Sequence, residues 1–263
     1  MLKQTRLEQI IKLLNSNGSV EINQLCRLFG VTEMTARRDL DELAKAGRVI
    51  RTHGGAVLSE DNILVEKPFE ARICSNYEQK DAIARKALSI IEDGSKLFFN
   101  SSSTVFCLAS HIDNTRRLIV ATEAINIANE LNTRSNVSVI QIGGELRKNT
   151  ISCIGYFAEE MLKHFRFDAA FIGINSIDED GKLYCGSTYE MGIYKSVFAC
   201  SRKIVVLADS TKLGNQDFTC IGSLSDIDTL ITDSGISENL LKKYGEMDVN
   251  LMVAEVPQPP DKL

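Results

Sequence analysis

The sequence predicts an α/β protein in two parts, with a small N-terminal domain at residues 1–57 and a larger domain at residues 67–256. Apolar residues at helical spacing fill the first 45 positions, and a basic, glycine-containing hairpin follows them. Further on, short β-rich runs alternate with helical segments, a pattern typical of a mainly parallel sheet. We expect residues 58–66 to be a linker and residues 257–263 a Pro-rich tail.

Composition and charge narrow the class of protein. The 263 residues are 44% hydrophobic and 25% charged, enough to bury a sizeable core. Residues 1–57 hold nine Lys and Arg against six Asp and Glu, a net charge of +3, and the remaining residues hold 21 against 29, a net charge of −8. The total of −5 argues against a protein that coats nucleic acid. It leaves room for a local DNA contact in the basic N-terminal domain.

Cysteine usage and hydropathy predict a cytoplasmic protein. The seven cysteines form no C-x-x-C pair and the three histidines are scattered, so we predict neither a disulfide framework nor a metal site. We expect the cysteines to be small buried side chains. We find no signal peptide pattern, and no apolar run approaches the ~20 residues that a bilayer span needs. No membrane partner is expected.

Three helices are predicted in the N-terminal domain. The first two, at residues 5–14 and 22–29, have apolar side chains at i, i+3, i+4 and i+7. Gly18 and Gly30 follow them and are expected to form tight turns. Thr32 is placed to cap the third helix at its N-terminus.

The third helix carries an Arg-Arg pair beside its buried face. At 100° per residue, Ala36, Leu40 and Leu43 share one face and leave the opposite face open. Helix-turn-helix proteins place the N-terminal residues of this helix at base edges in the major groove, where arginine can bind guanine or phosphate. Gly47 is expected to end the helix, and residues 48–57 to form a two-stranded wing. The candidate DNA contacts are Met34, Thr35, Arg37 and Arg38 on the helix, and Arg51 and His53 near the tip of the wing.

An ordinary solvated helix is the competing interpretation of the RRDLDEL run. Arg38 and Glu42 are four residues apart and would form a weak ion pair on such a helix. Under that interpretation, the three helices, two tight turns and basic wing would occur together only by chance. Their combination favours a winged helix-turn-helix.

Residues 3–57 resemble the DNA-binding domain of the DeoR family of bacterial transcriptional regulators. The family pattern R-R-D-L is present at residues 37–40, and R-x-H-G-G-A is present at residues 51–56. The resemblance extends to about residue 254. It implies a sensor domain with a sugar-phosphate-isomerase-like fold that typically binds a phosphorylated sugar.

Six apolar runs predict the strands of the larger domain, at residues 96–99, 118–121, 137–142, 168–172, 204–208 and 229–231. Ligands of open α/β sheets bind outside the carboxyl ends of the strands. In this chain those ends are polar or glycine: residues 100–104 follow the first run, Thr122 and Glu123 the second, and residues 209–212 the fifth. Such a crevice suits a small, oxygen-rich, anionic ligand.

The hydroxyl run at residues 101–104 opens a predicted helix. Backbone N–H groups and the dipole at a helix N-terminus favour phosphate, and Lys212 would add a positive charge. Plain N-capping needs one hydroxyl, however, and hydroxyl runs also occur in ordinary loops. The residues alone leave phosphate binding and a structural role open.

The family resemblance implies the effector site. Its candidate contacts are Asn100, Ser101, Ser102, Ser103, Thr104, Thr122, Glu190, Asp209 and Lys212. The chain departs from the family pattern there, with asparagine for aspartate at 100, serine for glycine at 102 and glutamate for asparagine at 123. We expect a phosphorylated sugar or sugar acid as effector, with no cofactor, no metal and no catalytic residue.

The leading interpretation is a transcriptional regulator, a repressor of a carbohydrate-utilisation operon whose binding to double-stranded operator DNA a sugar phosphate modulates. The alternative is a sugar-phosphate isomerase with an accessory head, in which Asp168, Glu190 or Asp209 is a general base. A third is a DNA-binding protein whose pocket has lost its ligand. Because operator palindromes mirror protein symmetry, we expect a homodimer or homotetramer.

Overall fold

The computed structural model describes residues 3–17, 19–45, 49–52, 54–58 and 69–257, and the chain divides into compact units at 1–66 and 67–263. The helices are α1 (Lys3–Asn17), α2 (Ile22–Phe29), α3 (Glu33–Lys45), α4 (Phe69–Cys74), α5 (Tyr77–Leu88), α6 (Ser103–His111), α7 (Ile125–Leu131), α8 (Tyr156–Leu162), α9 (Thr188–Cys200) and α10 (Glu238–Gly245). The strands are β1 (Ser19–Glu21), β2 (Val49–Arg51), β3 (Gly55–Leu58), β4 (Lys96–Phe99), β5 (Leu118–Thr122), β6 (Val137–Gln141), β7 (Glu145–Arg147), β8 (Ser152–Ile154), β9 (Ala169–Gly173), β10 (Ser176–Ile177), β11 (Lys182–Cys185), β12 (Ile204–Leu207), β13 (Thr219–Ser223), β14 (Thr229–Asp233) and β15 (Asn250–Ala254).

The N-terminal unit combines the three predicted helices with a three-stranded antiparallel sheet in the order β1-β3-β2. Gly30 ends α2 at a φ of 62°, a left-handed conformation that glycine adopts without a Cβ clash. The Thr32 hydroxyl accepts a hydrogen bond from the Thr35 N–H at 3.3 Å, the capping contact that the sequence predicts. The wing has the two expected strands, and β1 adds a third that the sequence analysis missed. The unit is therefore a winged helix-turn-helix.

A buried ion pair joins two helices of this unit. Arg6 of α1 and Asp39 of α3 are 8% and 2% exposed, and their side chains form two hydrogen bonds of 2.5 and 3.0 Å. The hydrogen bonds to Asp39 raise the pKa of Arg6. Asp39 belongs to the R-R-D-L run, so one acidic residue of that run holds the domain together instead of facing solvent.

A seven-stranded sheet forms the centre of the larger unit. Its order is β15-β14-β12-β9-β4-β5-β6, and every neighbouring pair is parallel. The six predicted runs provide six of these strands, and β15 at the edge was not predicted. A β7–β8 hairpin and a β10-β11-β13 sheet, both antiparallel, accompany it. The predicted α/β fold with a mainly parallel sheet is confirmed.

Alternate side chains of the strands enter two separate apolar clusters, as the two-residue period of a strand requires. Phe98 packs in one cluster, and its neighbours Leu97 and Phe99 pack in the other. Helices α8, α9 and α10 contribute to the first cluster, and α5, α6 and α7 to the second. Both faces of the sheet are therefore covered.

The order of strands reverses between β4 and β9. From β4 the chain proceeds to β5 and β6 on one side, and then to β9, β12, β14 and β15 on the other. Such a switch point opens a crevice outside the carboxyl ends of the two central strands. The loops that follow β4 and β9 are thus the first place to look for a ligand site.

Several predicted features lie outside the described residues. They are Gly18, Gly47, Arg48, His53, residues 59–66 of the expected linker and residues 258–263 of the expected tail. Leu58, the first residue of that linker, is the last residue of β3.

Candidate DNA-binding face and effector cavity

The open face of α3 presents two of the candidate DNA contacts directly to solvent. Met34 is 68% exposed. Arg38 is exposed as well, and within the described part of the chain its guanidinium has no ion-pair or hydrogen-bond partner. Ala36, Leu40 and Leu43 are buried on the opposite face, as predicted. An exposed arginine near the start of a capped helix is available to a phosphate or to a guanine edge.

The other two candidates on α3 are partly engaged. Thr35 is half-buried, and its hydroxyl lies 3.0 Å from the Thr32 hydroxyl in the helix cap. Arg37 is exposed but forms an ion pair with Glu33 one turn earlier, with an N–O distance of 2.6 Å. Contacts of this exposed type contribute little to stability, so DNA phosphates can compete for Arg37.

The side chain of Arg51, which the sequence places near the tip of the wing, is bound within the domain. Arg51 is the last residue of β2, and its Nε donates to Asp41 of α3 at 2.8 Å. Its guanidinium also donates to the carbonyl of Gly55 in β3. The side chain is therefore held between the wing and α3, because the nearest acceptors lie within the domain itself.

A cavity lies at the switch point of the large sheet. It has the free volume of about one water molecule. Its polar lining consists of Asn100, Ser101, Glu123, Ser152, Glu190 and Tyr194. Its apolar lining consists of Phe98, Ile154, Ile172, Ile193 and Val197. Three candidate effector residues, Asn100, Ser101 and Glu190, thus meet at one place.

Asn100 bridges the two central strands. Its side-chain amide donates to the Gly173 carbonyl at 2.9 Å, and its carbonyl accepts from the Gly173 N–H at 2.9 Å. Tyr194 donates its hydroxyl to the same Gly173 carbonyl at 2.8 Å. A carboxylate at position 100 has no donor for that carbonyl. The departure from the family pattern at Asn100 therefore has a structural use.

Three of the remaining hydroxyl candidates are occupied or enclosed. Ser102 caps α6 by accepting from the Thr104 N–H, and its side chain packs against Gly173, where an added Cβ would lie 1.9 Å from the Ser102 hydroxyl. Thr104 is fully buried. Thr122 is fully buried and accepts from the Ala124 N–H at 3.0 Å. Together with buried Ser103, these side chains shape the loop and do not line the cavity.

Glu123 is the functional candidate that the expected site omits. It directly follows β5, is 3% exposed and lines the cavity. Its Oε1 accepts from the Ser101 N–H at 2.8 Å. Burial raises the pKa of this carboxyl to about 7. Two signals in the sequence marked it: its position at the carboxyl end of a predicted strand and its departure from the family pattern.

Glu190 is paired across the cavity edge. Its Oε1 accepts from Arg147 Nη1 at 2.9 Å, and the side chains are only 12% and 17% exposed. Arg147 is the last residue of β7, and the β7–β8 hairpin is joined to the end of β5 through hydrogen bonds from the N–H of Ile125 and of Cys153. A guanidinium therefore lies beside the cavity.

Asp209 and Lys212 belong to a second polar group at the end of β12. Asp209 is buried and accepts from Asn76 at 3.2 Å. Lys212 donates to the carbonyl of Ile174 at 2.6 Å. Burial lowers the pKa of nearby Lys80, and the charge of Asp209 opposes that shift. Neither Asp209 nor Lys212 lines the cavity. Lys212 nevertheless lies close to it, because Ile174 directly follows Gly173, the residue to which Asn100 bonds.

Among the described residues, no helix is both long enough and apolar enough to cross a bilayer. They also contain no cluster of three His, Cys, Asp or Glu side chains placed to hold a metal ion.

The comparisons with known proteins identify the chain. A profile described as the DeoR C terminal sensor domain matches residues 75–234, and one described as a DeoR-like helix-turn-helix domain matches residues 6–62. The chain belongs to the DeoR family. The match covers both domains, so the resemblance noted in the sequence holds for the N-terminal and the sensor parts alike.

Relatives match this DeoR-family chain over nearly its whole length. The HTH-type transcriptional regulator YulB of Bacillus subtilis is 31% identical, covering 95% of this chain and 96% of its own. The glycerol-3-phosphate regulon repressor of Escherichia coli is 34% identical over 89% and 92%. The HTH-type transcriptional repressor GlcR of Bacillus subtilis is 31% identical over 97% and 98%. All three relatives are named as transcriptional regulators or repressors.

Among solved structures, the ribose 5-phosphate isomerase A of Methanocaldococcus jannaschii is 18% identical, with a TM-score of 0.40 over 53% of this chain and 55% of that protein. Asp168, the possible base of the isomerase alternative, caps the amino end of the sheet instead: its carboxylate accepts from the Lys96 N–H at 2.9 Å.

Proposed function

We propose that this DeoR-family chain is a repressor that binds operator DNA through α3 and releases it when a phosphorylated sugar binds at the switch-point cavity. The observation that carries the DNA half is the exposed guanidinium of Arg38, which has no partner within the described residues, on the first turns of a capped helix. Other charged side chains of the same unit, including Arg6 and Arg51, have partners inside the unit.

The DNA contacts are assigned to one face of α3. Arg38 and Met34 are four residues apart and share a face, with Thr35 and Arg37 on either side. The N-terminal residues of a recognition helix reach base edges in the major groove. In this proposal Arg38 binds a base or a phosphate, Arg37 exchanges Glu33 for a phosphate, and Met34 makes apolar contacts. His53 stays a sequence prediction for the wing.

The effector half rests on the place and composition of the cavity. It lies at the switch point, where ligands of open α/β sheets bind. It has room for one small group, so most of a sugar phosphate lies beyond it. Arg147 provides a guanidinium suited to a phosphate at its edge. Several curated relatives are named as repressors, one of them of a glycerol-3-phosphate regulon, which fits a phosphorylated effector.

Fluorescence anisotropy on DNA from upstream of the gene tests the DNA half. Arg38→Ala is expected to weaken binding by about 1–3 kcal/mol. Lys45→Ala is the control, because Lys45 is an exposed cation on the same face, about 10 Å further along α3. An equal loss of DNA affinity in both variants would mean that Arg38 contributes only through its positive charge, without a specific contact. No sequence-selective complex at moderate salt would contradict the proposal.

We further propose that the chain acts as a homo-oligomer through its sensor domain. Tyr156 and Phe157 at the start of α8 and Tyr189 at the start of α9 are 69%, 76% and 71% exposed. Neighbouring apolar side chains at a surface are typical of a protein–protein interface. Light scattering is expected to give a dimer or tetramer, and Phe157→Ser to shift it toward monomer. A monomeric wild-type protein would contradict this proposal.

A further inference from the structure

Glu123 places a carboxylate where an anionic ligand would be expected to bind. Its Oε1 accepts from the N–H of Ser101, in the loop that leads into α6. Two of the N–H groups that follow also have internal acceptors: that of Ser102 donates to the Asn100 carbonyl, and that of Thr104 to the Ser102 hydroxyl. The Glu123 carboxylate therefore lies at the start of α6, where it already accepts one of the N–H groups that an anion would use.

The second oxygen of Glu123 is the unsatisfied atom of the cavity. Glu123 is 97% buried, and no hydrogen-bond donor of the described residues reaches Oε2. The Ser101 hydroxyl lies near the Glu123 carboxyl and lowers its pKa, although Oε2 itself has no partner among the described residues. The remaining polar side chains of the cavity are bound elsewhere. Asn100 and Tyr194 bond to Gly173, Ser152 bonds to Thr150 at 2.6 Å, and Glu190 pairs with Arg147. A buried carboxylate oxygen without a donor is costly, so this position is prepared for one.

We propose that Glu123 is the residue that selects the effector: the ligand donates a hydrogen bond, from a hydroxyl or an ammonium group, to Glu123 Oε2, and a phosphate or carboxylate is excluded from that position. The phosphate of the ligand then lies outside the cavity. This inference rests on the function proposed above, and it adds the orientation of the ligand and the chemistry of its inner end.

The protonation of Glu123 agrees with this geometry. Burial raises its pKa to about 7, so near neutral pH the carboxyl is poised between its two forms. A donor on the ligand favours the ionised form. The other titratable groups that face it are Glu190 with its partner Arg147, Tyr194 and Cys153. Burial and the charge of Glu123 both raise the pKa of Cys153.

Isothermal titration calorimetry with matched probes tests the selection. The probes are glucosamine 6-phosphate, glucose 6-phosphate and 6-phosphogluconate, which carry an ammonium, only hydroxyls or a carboxylate away from the phosphate. Wild-type protein is expected to bind one of the first two at least about tenfold more tightly than 6-phosphogluconate. Glu123→Gln keeps the acceptor for Ser101 and removes the charge. It is expected to reduce that ratio about tenfold. Glu92→Gln is the control, because Glu92 is exposed and precedes β4 at the amino end of the sheet, and it is expected to leave the ratio unchanged.

The outcomes separate the two proposals. If a phosphorylated probe binds and the ratio is the same in wild type and Glu123→Gln, the selecting role of Glu123 is wrong and the effector site stands. If 6-phosphogluconate binds most tightly to wild type, the orientation is wrong. If none of the probes, tested with inorganic phosphate and glycerol 3-phosphate, binds to any variant, both proposals fail. A thermal-shift control shows that each variant is folded before titration.

Discussion

The α3 face and the switch-point cavity differ in how they use their polar groups. On α3, Arg38 and Met34 are exposed, and Arg38 has no partner in the described structure. In the cavity, Asn100, Ser101 and Glu190 are all bound to other parts of the protein. A surface that reads DNA leaves its donors available, whereas a switch can hold its site closed with internal contacts that a ligand must replace.

The comparison also concerns buried charge. The winged domain buries a complete ion pair, Arg6 with Asp39. The sensor domain buries the carboxylate of Glu123 with only one of its oxygens satisfied. The first arrangement fixes a structure and the second is available to a ligand.

Asp39→Ala is expected to destabilise the winged domain by about 3–5 kcal/mol, because it leaves the Arg6 guanidinium buried without a partner. Urea denaturation followed by circular dichroism measures the change. Asp41→Ala is the control, since Asp41 is exposed and its pair with Arg51 is expected to contribute less than about 1 kcal/mol. Similar costs in the two variants would show that the buried pair has no special structural role.

Glu123→Gln is expected to change how stability depends on pH. The pKa of Glu123 is raised from 4.5 to about 7 in the folded protein, so the folded form holds the proton more tightly than the unfolded form. Wild-type stability from this group is complete below pH 4.5 and is lost as pH rises to about 7. The free energy of unfolding of the variant minus that of wild type is therefore expected to be about 3 kcal/mol larger at pH 8 than at pH 4. A constant difference in urea denaturation at the two pH values would contradict a buried, raised carboxyl.

Gly173→Ala is expected to cost about 1–3 kcal/mol, because the added Cβ would lie 1.9 Å from the Ser102 hydroxyl that caps α6. Gly143→Ala, after β6, is the control, because nothing lies within 4 Å of a Cβ there. Thermal unfolding compares them. Equal stability of the two variants would mean that the loop after β4 moves easily to make room for the Cβ. The contacts that close the cavity would then be weak.

Arg37→Ala is expected to change stability by no more than about 0.5 kcal/mol, since it removes only an exposed pair with Glu33. Its operator affinity is nevertheless expected to fall, because the guanidinium is a phosphate contact in the proposed complex. Denaturation and anisotropy on the same preparation measure both. Unchanged affinity would restrict the DNA-binding surface to Arg38 and its nearest neighbours.

The sequence predicted the elements that depend on neighbouring residues, but not the contacts between residues far apart in the chain. The three helices of the head and six strands of the large sheet follow from local apolar periodicity. The strands β1, β7 and β8 have three residues each, too few to show a period. The position of Asp39 did carry a signal, since it lies three residues after Ala36 on the buried stripe. Its partner Arg6, 33 residues away, required the tertiary structure.

The effector site was less predictable for the same reason. The sequence correctly placed polar residues at strand ends, but not which of them share a cavity. Asn100 and Gly173 are 73 residues apart, and their hydrogen bonds depend on the order of β4 and β9 in the sheet. That Asp209 and Lys212 do not line the cavity likewise depends on the tertiary structure. Glu123 was marked by its place at a strand end and by its departure from the family pattern, but neither signal shows that it is buried.

In the proposed mechanism, the operator and the effector compete through one protein conformation. Two affinities test this competition. Calorimetry gives the affinity for the strongest-binding sugar phosphate, both for free protein and for protein saturated with operator DNA. Anisotropy gives the affinity for the operator with and without that sugar phosphate. Binding free energies are reciprocal, so the account predicts that both affinities fall by the same factor. Operator affinity that is unchanged at a saturating concentration of the sugar phosphate would contradict it.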